Sequence, residues 1–310
     1  MTVPPTHPRD TVFDEAFLRK LERLDIVARK VRAGAVRGER RSTKRGQSVE
    51  FADFRLYSPG DDLRRVDWNV YARTERAFLK LFVEEEDRTV HVLLDASPSM
   101  DWGGDGNAAA HKLTWGRRTA AALAYIALAS LDRVAVATIG PSGLRQAPVM
   151  RGTRSLFRLL DFLADATGTP ADGATDLDGA LAAYAARVRN PGLLFLVSDL
   201  LVEGGGKLGL AALAGRGHEP NIIHALAPDE LDPGLALRGE LKLVDRETGI
   251  ARELTVDDAA LNDYRRRLTD WQADLASHCG GRGWPYLAVN TATPFEDTIL
   301  NALRRGGMVR

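Results

Sequence analysis

The sequence predicts an α/β protein with a mostly parallel central sheet and helices on both faces, preceded by an N-terminal helix and a β extension. After Arg88, short apolar segments alternate with amphipathic helical segments, a pattern typical of a parallel sheet that helices cover on both sides. Before that point, residues 48–57 and 77–86 carry apolar side chains at alternate positions, which indicates half-exposed strands. We therefore expect the extension to occupy residues 1–87 and the α/β domain to occupy residues 88–310.

The first predicted element is a helix over residues 13–26. Five of its apolar residues lie close to one face, namely Phe13, Phe17, Leu18, Leu21 and Leu24. The next segment, residues 29–45, has eight basic residues and one acidic residue. It is either a solvated linker or a patch for nucleic acid or a protein partner.

The two strands of the extension enclose a turn-rich loop, SPGDDLRRVDWNVYARTER, which begins at the turn residues Pro59 and Gly60. Its acidic residues Asp61, Asp62 and Asp67 can cap turns or pair with arginines of the same loop. Those arginines are Arg64, Arg65 and Arg73. The simplest interpretation from the residues alone is a compact loop that stabilises itself.

Within residues 88–310 the alternation of patterns predicts individual elements. Strands are predicted at residues 89–95, 133–140, 192–199, 221–227 and 284–289. Helices are predicted at residues 108–131, 153–166, 177–188, 207–215, 258–277 and 294–304. One segment departs from this order, because residues 240–256 have the pattern of a β-hairpin that turns at Glu247 to Gly249.

Charge and composition argue against several classes of protein. Lys plus Arg number 42 and Asp plus Glu number 42, so no net charge attracts the chain to nucleic acid or to an anionic membrane. The single cysteine, Cys279, excludes internal disulfides and cysteine-rich zinc sites and fits a reducing compartment. The N-terminal residues lack the apolar stretch of a signal peptide, and TAAALAYIALASL is too short to span a bilayer. We expect a cytoplasmic protein without a membrane span.

Polar residues stand where the predicted strands end, which is where ligands bind in open parallel sheets. Asp95, Ser97 and Ser99 follow the first strand of the domain, Thr175 lies in the loop before helix 177–188, and Asp199 ends a later strand. Each residue alone is an ordinary turn or cap residue. Together, their oxygens suit a hard divalent cation such as Mg²⁺, and the low negative charge leaves room for a carboxylate from a partner.

The same residues carry a resemblance to a known family. The run DASPSM resembles the Asp-x-Ser-x-Ser motif of the metal-ion-dependent adhesion site in von Willebrand factor type A domains. The resemblance implies a Rossmann-like sheet with Asp95, Ser97, Ser99, Thr175 and Asp199 around Mg²⁺, or around Mn²⁺ or Ca²⁺. Two positions depart from the family pattern, since Leu200 and Ala174 stand where glycine is frequent.

A narrower resemblance covers roughly residues 37 to 240. The run YSPGDDLRRVDWNVYAR, followed by a strand and DASPSM, is similar to a bacterial family catalogued as the fifty-eighth domain of unknown function. Members of that family are commonly encoded beside AAA+ ATPases of the MoxR class, which the resemblance implies as partners. It also implies that the loop is a signature of the family, with the positions Pro59, Gly60, Asp61, Asp62, Arg64, Asp67, Trp68 and Arg73.

Three functions are compatible with these residues. The leading hypothesis is a non-enzymatic adaptor whose bound metal receives an acidic side chain of a protein partner, such as a MoxR-like ATPase that acts as a chaperone. The alternative is a Mg²⁺-dependent hydrolase or phosphoryl-transfer enzyme with Asp95 as nucleophile, although Ser97 replaces the second aspartate of haloacid-dehalogenase-like phosphatases. Nucleic-acid binding through residues 29–45 is the weakest of the three.

Overall fold

A computed structural model describes most of the chain. The described residues are 15–24, 26, 49–59, 61–63, 66–84, 89–103, 110–168, 175–235 and 238–309. The basic segment 29–45 therefore lies outside the described residues, as do Gly60, Arg64 and Ala174.

The elements in the first part of the chain, in chain order, are α1 (Glu15–Leu21), β1 (Val49–Leu56), α2 (Trp68–Thr74), β2 (Phe78–Glu84), β3 (Thr89–Asp95), α3 (Lys112–Ala129), β4 (Arg133–Gly140), β5 (Gly143–Gln146), α4 (Leu156–Ala164) and α5 (Leu177–Arg187). The remaining elements are β6 (Leu193–Ser198), α6 (Lys207–Gly215), β7 (Glu219–Leu226), α7 (Pro228–Leu231), β8 (Gly239–Val244), β9 (Ala251–Val256), α8 (Asp258–Gly280), β10 (Tyr286–Asn290), α9 (Phe295–Asp297) and α10 (Leu303–Arg305). A π-helical turn, Thr298–Ala302, joins α9 to α10.

The chain forms two compact units. The smaller unit contains the described residues from 49 to 84, and the larger unit contains the described residues from 89 onward. Helix α1 also belongs to the larger unit. Leu21 at the end of α1 and Leu24 just after it join the core of the larger unit, Leu18 packs against that core, and Ile26 forms an antiparallel bridge with Val309.

The smaller unit is an antiparallel pair of strands, β1 and β2, joined by the turn-rich loop and α2. Asp67 caps α2, because its Oδ1 accepts hydrogen bonds from the backbone N–H groups of Asn69 and Val70. Asp61 forms a bidentate ion pair with Arg55, whose Nη2 and Nη1 donate to Oδ1 and Oδ2 of Asp61 at 2.6 and 2.7 Å. Asp67 thus caps a helix and Asp61 pairs with an arginine of β1, while Arg64 and Arg65 of the loop lie outside the described residues.

The larger unit is built on a six-stranded sheet in the order β10-β7-β6-β3-β4-β5. The first five of these strands are parallel, which confirms the predicted mixed α/β class with a mostly parallel central sheet. Strand β5, which the sequence analysis did not predict, runs antiparallel to β4 at one edge. It has only four residues and is largely exposed, so it lacks the apolar run that marks the other strands.

Helices cover both faces of this sheet. Helices α3 and α4 pack on one face together with α1 and the C-terminal segment, and α5, α6 and α8 pack on the other. Strand β3 contributes side chains to the hydrophobic cores on both faces of the sheet. Val92 and Leu94 lie in the core under α3 and α4, and Leu93 lies in the core under α5, α6 and α8. All seven residues of β3 are buried, which places its last residue, Asp95, in the interior.

The predicted hairpin is present as the antiparallel pair β8 and β9 and is separate from the central sheet. Eleven of the twelve strand residues are exposed or half-buried, and only Val256 at the base is buried. Among the described residues, no helix is both long and apolar enough to cross a membrane.

Candidate functional site

The candidate site lies where the order of strands in the sheet reverses. The chain proceeds from β3 to β4 on one side and later to β6 on the other side of β3, so β3 and β6 are parallel neighbours across the switch point. Ligands of open parallel sheets bind at the carboxyl ends of strands at such a point. Asp95 ends β3 and Asp199 follows β6 directly, so both carboxylates stand at this edge.

The carboxyl group of Asp95 is held from two sides. Its Oδ1 accepts a hydrogen bond from the backbone N–H of Ser97 (2.9 Å), and its Oδ2 accepts one from the hydroxyl of Ser198 (2.5 Å). Burial and the nearby charge of Asp199 raise the pKa of Asp95 to about 6, although both hydrogen bonds oppose that shift. Two buried carboxylates thus repel each other here, and a cation between them would relieve the repulsion.

Three hydroxyl groups lie at the same edge. The Oγ atoms of Ser97 and Ser99 are 3.0 Å apart. Thr175, which precedes α5, is buried, and its Oγ1 has no hydrogen-bond partner in the described part of the chain. A buried hydroxyl without a partner is unfavourable, so among the described residues Thr175 Oγ1 is an oxygen donor that a ligand at this edge could use.

A buried lysine that was not among the predicted site residues completes the inner part of the site. Lys112, the first residue of α3, is 0% exposed, and its Nζ lies 2.7 Å from Asp199 Oδ2 and 2.5 Å from Glu230 Oε1. Burial alone would lower the pKa of Lys112, but the charges of Asp199 and Glu230 outweigh burial and raise it. Lys112 is therefore a permanent cation that balances charge beside Asp199.

Glu230 is fixed in the same cluster. It lies in α7, just past the carboxyl end of β7, and its Oε2 accepts a hydrogen bond from the backbone N–H of Ala227 (2.8 Å). Burial raises its pKa, while Lys112 acts in the opposite direction. The strand-end rule, applied to β7 as well as to β3 and β6, would have identified this residue.

A third missed residue approaches from the hairpin. Glu247, in the turn between β8 and β9, accepts hydrogen bonds from the backbone N–H groups of Ser99 (to Oε1, 3.0 Å) and Thr175 (to Oε2, 3.1 Å). Because one carboxylate spans both amides, the loop after β3 and the loop before α5 converge on one point. A glutamate in an exposed hairpin turn has no sequence signal for such a role.

The position after Asp199 has an unusual backbone. Leu200 adopts φ 54°, a left-handed conformation that favours glycine and strains other residues. Its backbone N–H donates to Ser198 Oγ (2.9 Å), and its side chain is buried. A glycine at this position in other proteins would adopt the same conformation without strain, and here the burial of the leucine side chain offsets it.

The structure thus brings Asp95, Ser97, Ser99, Thr175 and Asp199 to one edge of the sheet. The described signature positions, by contrast, lie in the smaller unit: Pro59 is in a turn, Asp61 and Asp67 stabilise the loop, Trp68 is exposed, and Arg73 donates to the carbonyl of Asn69. Asp62 is exposed in the same loop.

The donor set at the sheet edge fits a hard divalent cation. Carboxylate and hydroxyl oxygens are the ligands that Mg²⁺ accepts, and Thr175 Oγ1 is unpartnered in the described structure. Across the described ranges, no three His, Cys, Asp or Glu side chains group closely enough to hold a metal ion. A metal here would therefore depend on the serine and threonine hydroxyls as well as on Asp95 and Asp199.

Comparisons with known proteins agree with the bacterial affiliation that the signature loop implied. The chain is 28% identical to uncharacterized proteins of Mycobacterium tuberculosis and Mycobacterium bovis over 306 residues, which cover 98% of this chain and 95% of each relative. An uncharacterized protein of Mycobacterium avium is 29% identical over 168 residues, 53% of this chain and 98% of the relative.

One solved structure, that of the conserved hypothetical protein BatB from Bacteroides thetaiotaomicron, aligns with a TM-score of 0.42 and 14% identity, covering 71% of this chain and 98% of that chain. The family described as "Protein of unknown function DUF58" matches residues 53–274. Because this match covers well over half of the sequence, the chain belongs to the DUF58 family.

Proposed function

We propose that this protein is a non-enzymatic interaction module of the von Willebrand factor type A kind, which binds a divalent cation through Asp95, Ser97, Ser99, Thr175 and Asp199. The cation would offer a coordination position to the carboxylate of an acidic side chain of a protein partner. The observation that carries the proposal is the convergence of these five oxygen-bearing side chains at the switch point. At that point the side-chain carboxylate of Glu247 already accepts hydrogen bonds from the backbone N–H groups of Ser99 and Thr175.

The partner that we propose is an AAA+ ATPase of the MoxR class, in chaperone or assembly work. The support for a protein partner is chemical. Lys112 neutralises part of the charge of Asp199 and Glu230, so the remaining negative charge of the site is too small to neutralise a divalent cation. A carboxylate from another protein would complete it.

Metal binding is tested by isothermal titration calorimetry with MgCl₂ on the wild type and on Asp95→Ala, with Asp165→Ala as the control. Asp165 is an exposed acidic residue at the end of α4. We expect the wild type and Asp165→Ala to bind Mg²⁺ alike and Asp95→Ala to lose binding. At a Mg²⁺ concentration of about a hundred times Kd, bound metal raises the free energy of unfolding by about 2.7 kcal/mol. Equal binding by Asp95→Ala would contradict the proposed ligand set.

Partner binding is tested by pull-down of a MoxR-class ATPase from the same genome, in Mg²⁺ and in EDTA. Loss of capture in EDTA and in Asp95→Ala supports a metal-bridged contact. Unchanged capture in all of these conditions excludes it.

The hydrolase alternative has less support from the site. Lys112, the buried cation beside Asp199, is bound by two carboxylates, so it is not free to stabilise the charge of a phosphoryl group. We expect no turnover of generic phosphate esters in Mg²⁺. Turnover that Asp95→Asn abolishes would favour the enzyme instead.

A further inference from the structure

The turn of the β8–β9 hairpin is built to present Glu247 in one orientation. Asp245 Oδ1 accepts hydrogen bonds from the backbone N–H groups of Glu247 (2.8 Å) and Thr248 (3.2 Å). The N–H of Gly249 donates to the carbonyl of Asp245 (2.8 Å), and Gly249 has φ 71°, which glycine adopts without strain. The turn is therefore closed by its own hydrogen bonds, and Glu247 projects from it.

A second contact fixes the turn beside the site. Arg246 Nη2 lies 3.0 Å from Asp101 Oδ2, and its guanidinium lies 5.6 Å from the centre of the Trp102 ring. Asp101 also faces His111, at 3.3 Å from Nε2. Two neighbouring residues of the turn thus contact the loop after β3: Arg246 binds Asp101, and Glu247 binds the backbone N–H of Ser99.

The arms of the hairpin, in contrast, are bound to little else. Their apolar residues Leu243, Val244 and Ile250 are 40%, 57% and 60% exposed. Only Val256 at the base is buried. Within the described residues, the hairpin is thus anchored at its base and held at its turn by hydrogen bonds, an ion pair and the contact of Arg246 with the Trp102 ring, so the turn can leave the site without uncovering an apolar core.

The contacts of Glu247 are those that an incoming acidic side chain would make. Its two oxygens accept from two backbone amides, an arrangement that binds carboxylates in general and does not depend on the rest of the glutamate residue. Glu247 stands on a loop outside the sheet, and the hydroxyls of Ser99 and Thr175 belong to the same residues that supply the amides.

We propose that the carboxylate of Glu247 occupies a binding site for carboxylates in this protein, and that the β8–β9 hairpin is a displaceable cover over that site. The amides of Ser99 and Thr175 form a carboxylate subsite, which takes either Glu247 or an acidic side chain of a protein partner. Partner binding then requires the turn to move away. Because partner binding at this position is itself the function proposed above, the two ideas need separate tests.

The subsite is tested without metal, on the full chain in EDTA, by NMR of the backbone amides of Ser99 and Thr175. The variant is Glu247→Ala, and the matched control is Glu253→Ala, an exposed glutamate on β9 of the same hairpin. We expect amide exchange at both positions to rise about fivefold in Glu247→Ala and to stay unchanged in the control. A fivefold change corresponds to the loss of about 1 kcal/mol of protection.

Sodium acetate then replaces the missing side chain. We expect saturable shifts of the Ser99 and Thr175 amides in Glu247→Ala, and none in the wild type or with sodium chloride of equal ionic strength. Unchanged exchange in Glu247→Ala, or acetate shifts of equal size in the wild type, would overturn the inference.

The role as a cover is tested by ATPase capture in Mg²⁺. Stronger capture by Glu247→Ala than by the wild type and by Glu253→Ala supports displacement. Equal capture by all three refutes the cover and leaves the proposed function intact. If none of the three captures the ATPase while the acetate result holds, the proposed partner is wrong and the carboxylate subsite stands.

Discussion

The inner and outer sides of the candidate site are held by different forces. The inner side consists of Asp95, Lys112, Asp199 and Glu230, which come from the ends of β3, β6 and β7 and from the start of α3. The outer side consists of Ser99, Thr175 and Glu247, where neutral amides hold one carboxylate on an exposed hairpin.

This difference separates a fixed part of the site from an exchangeable part. Charges that are removed from water need opposite charges close by, and losing one of them leaves the others uncompensated. A carboxylate on two partly exposed amides can exchange with water or with another carboxylate at little loss. The inner side therefore sets the position of the site, and the outer side determines what enters it.

The largest expected effect is on the inner side. Lys112→Met removes the buried cation between the buried carboxylate of Asp199 and the half-buried carboxylate of Glu230, and we expect the free energy of unfolding in urea to fall by about 3–5 kcal/mol. The control is Lys207→Met, which removes an exposed ion pair with Asp274 and is expected to lower stability by about 1 kcal/mol or less. Equal losses of unfolding free energy in the two variants would mean that pairing with Lys112 is not needed to stabilise the carboxylates of the inner side.

A second prediction concerns a buried residue of β3 that has no opposite charge. His91 is 0% exposed; its Nε2–H donates to the carbonyl of Asn190 (3.1 Å), and its Nδ1 accepts from the hydroxyl of Tyr184 (2.8 Å). Burial and the neighbouring His218 lower the pKa of His91 to about 3. In contrast to Lys112, His91 is buried in its neutral form.

The sign of the pH dependence follows from that shift. The unfolded chain protonates His91 near its usual pKa of about 6.5, so stability is lost as the pH falls from there toward about 3. From about pH 7 to about pH 5 we expect His91 to contribute a loss of about 2 kcal/mol. His91→Gln should reduce the pH dependence of urea unfolding by that amount, and an identical pH dependence in both proteins would refute the prediction.

Much of the fold follows from the sequence because apolar periodicity directly reflects burial. Strands β3 and β4 have the predicted bounds, since their apolar runs are bordered by charged or glycine residues. Strand β5 was missed because an exposed, four-residue edge strand buries too little to leave a pattern. Helix α3 begins at Lys112, and the described residues just before it, 110 and 111, are not α-helical although the apolar pattern includes them.

The candidate site was predictable in part for the same reason. Asp95 and Asp199 interrupt apolar strands at their carboxyl ends, and the sheet itself brings such positions together. Lys112 gave no comparable signal, because a lysine at the start of a helix is ordinarily solvated. Glu247 reaches the site only because the hairpin folds back over the sheet edge, and that path depends on tertiary contacts that periodicity does not encode.

The smallest expected effect is on the outer side. Glu247→Ala removes two hydrogen bonds at a half-exposed position, and water can replace them, so we expect the free energy of unfolding to fall by about 1 kcal/mol or less. Glu253→Ala, on the same hairpin, should change it by about 0.5 kcal/mol or less. Urea unfolding of both variants beside Lys112→Met measures the contrast between the two sides. If Glu247→Ala lowered stability as much as Lys112→Met, the hairpin turn would be part of the fixed structure, because a carboxylate that partners displace cannot contribute so much to folding.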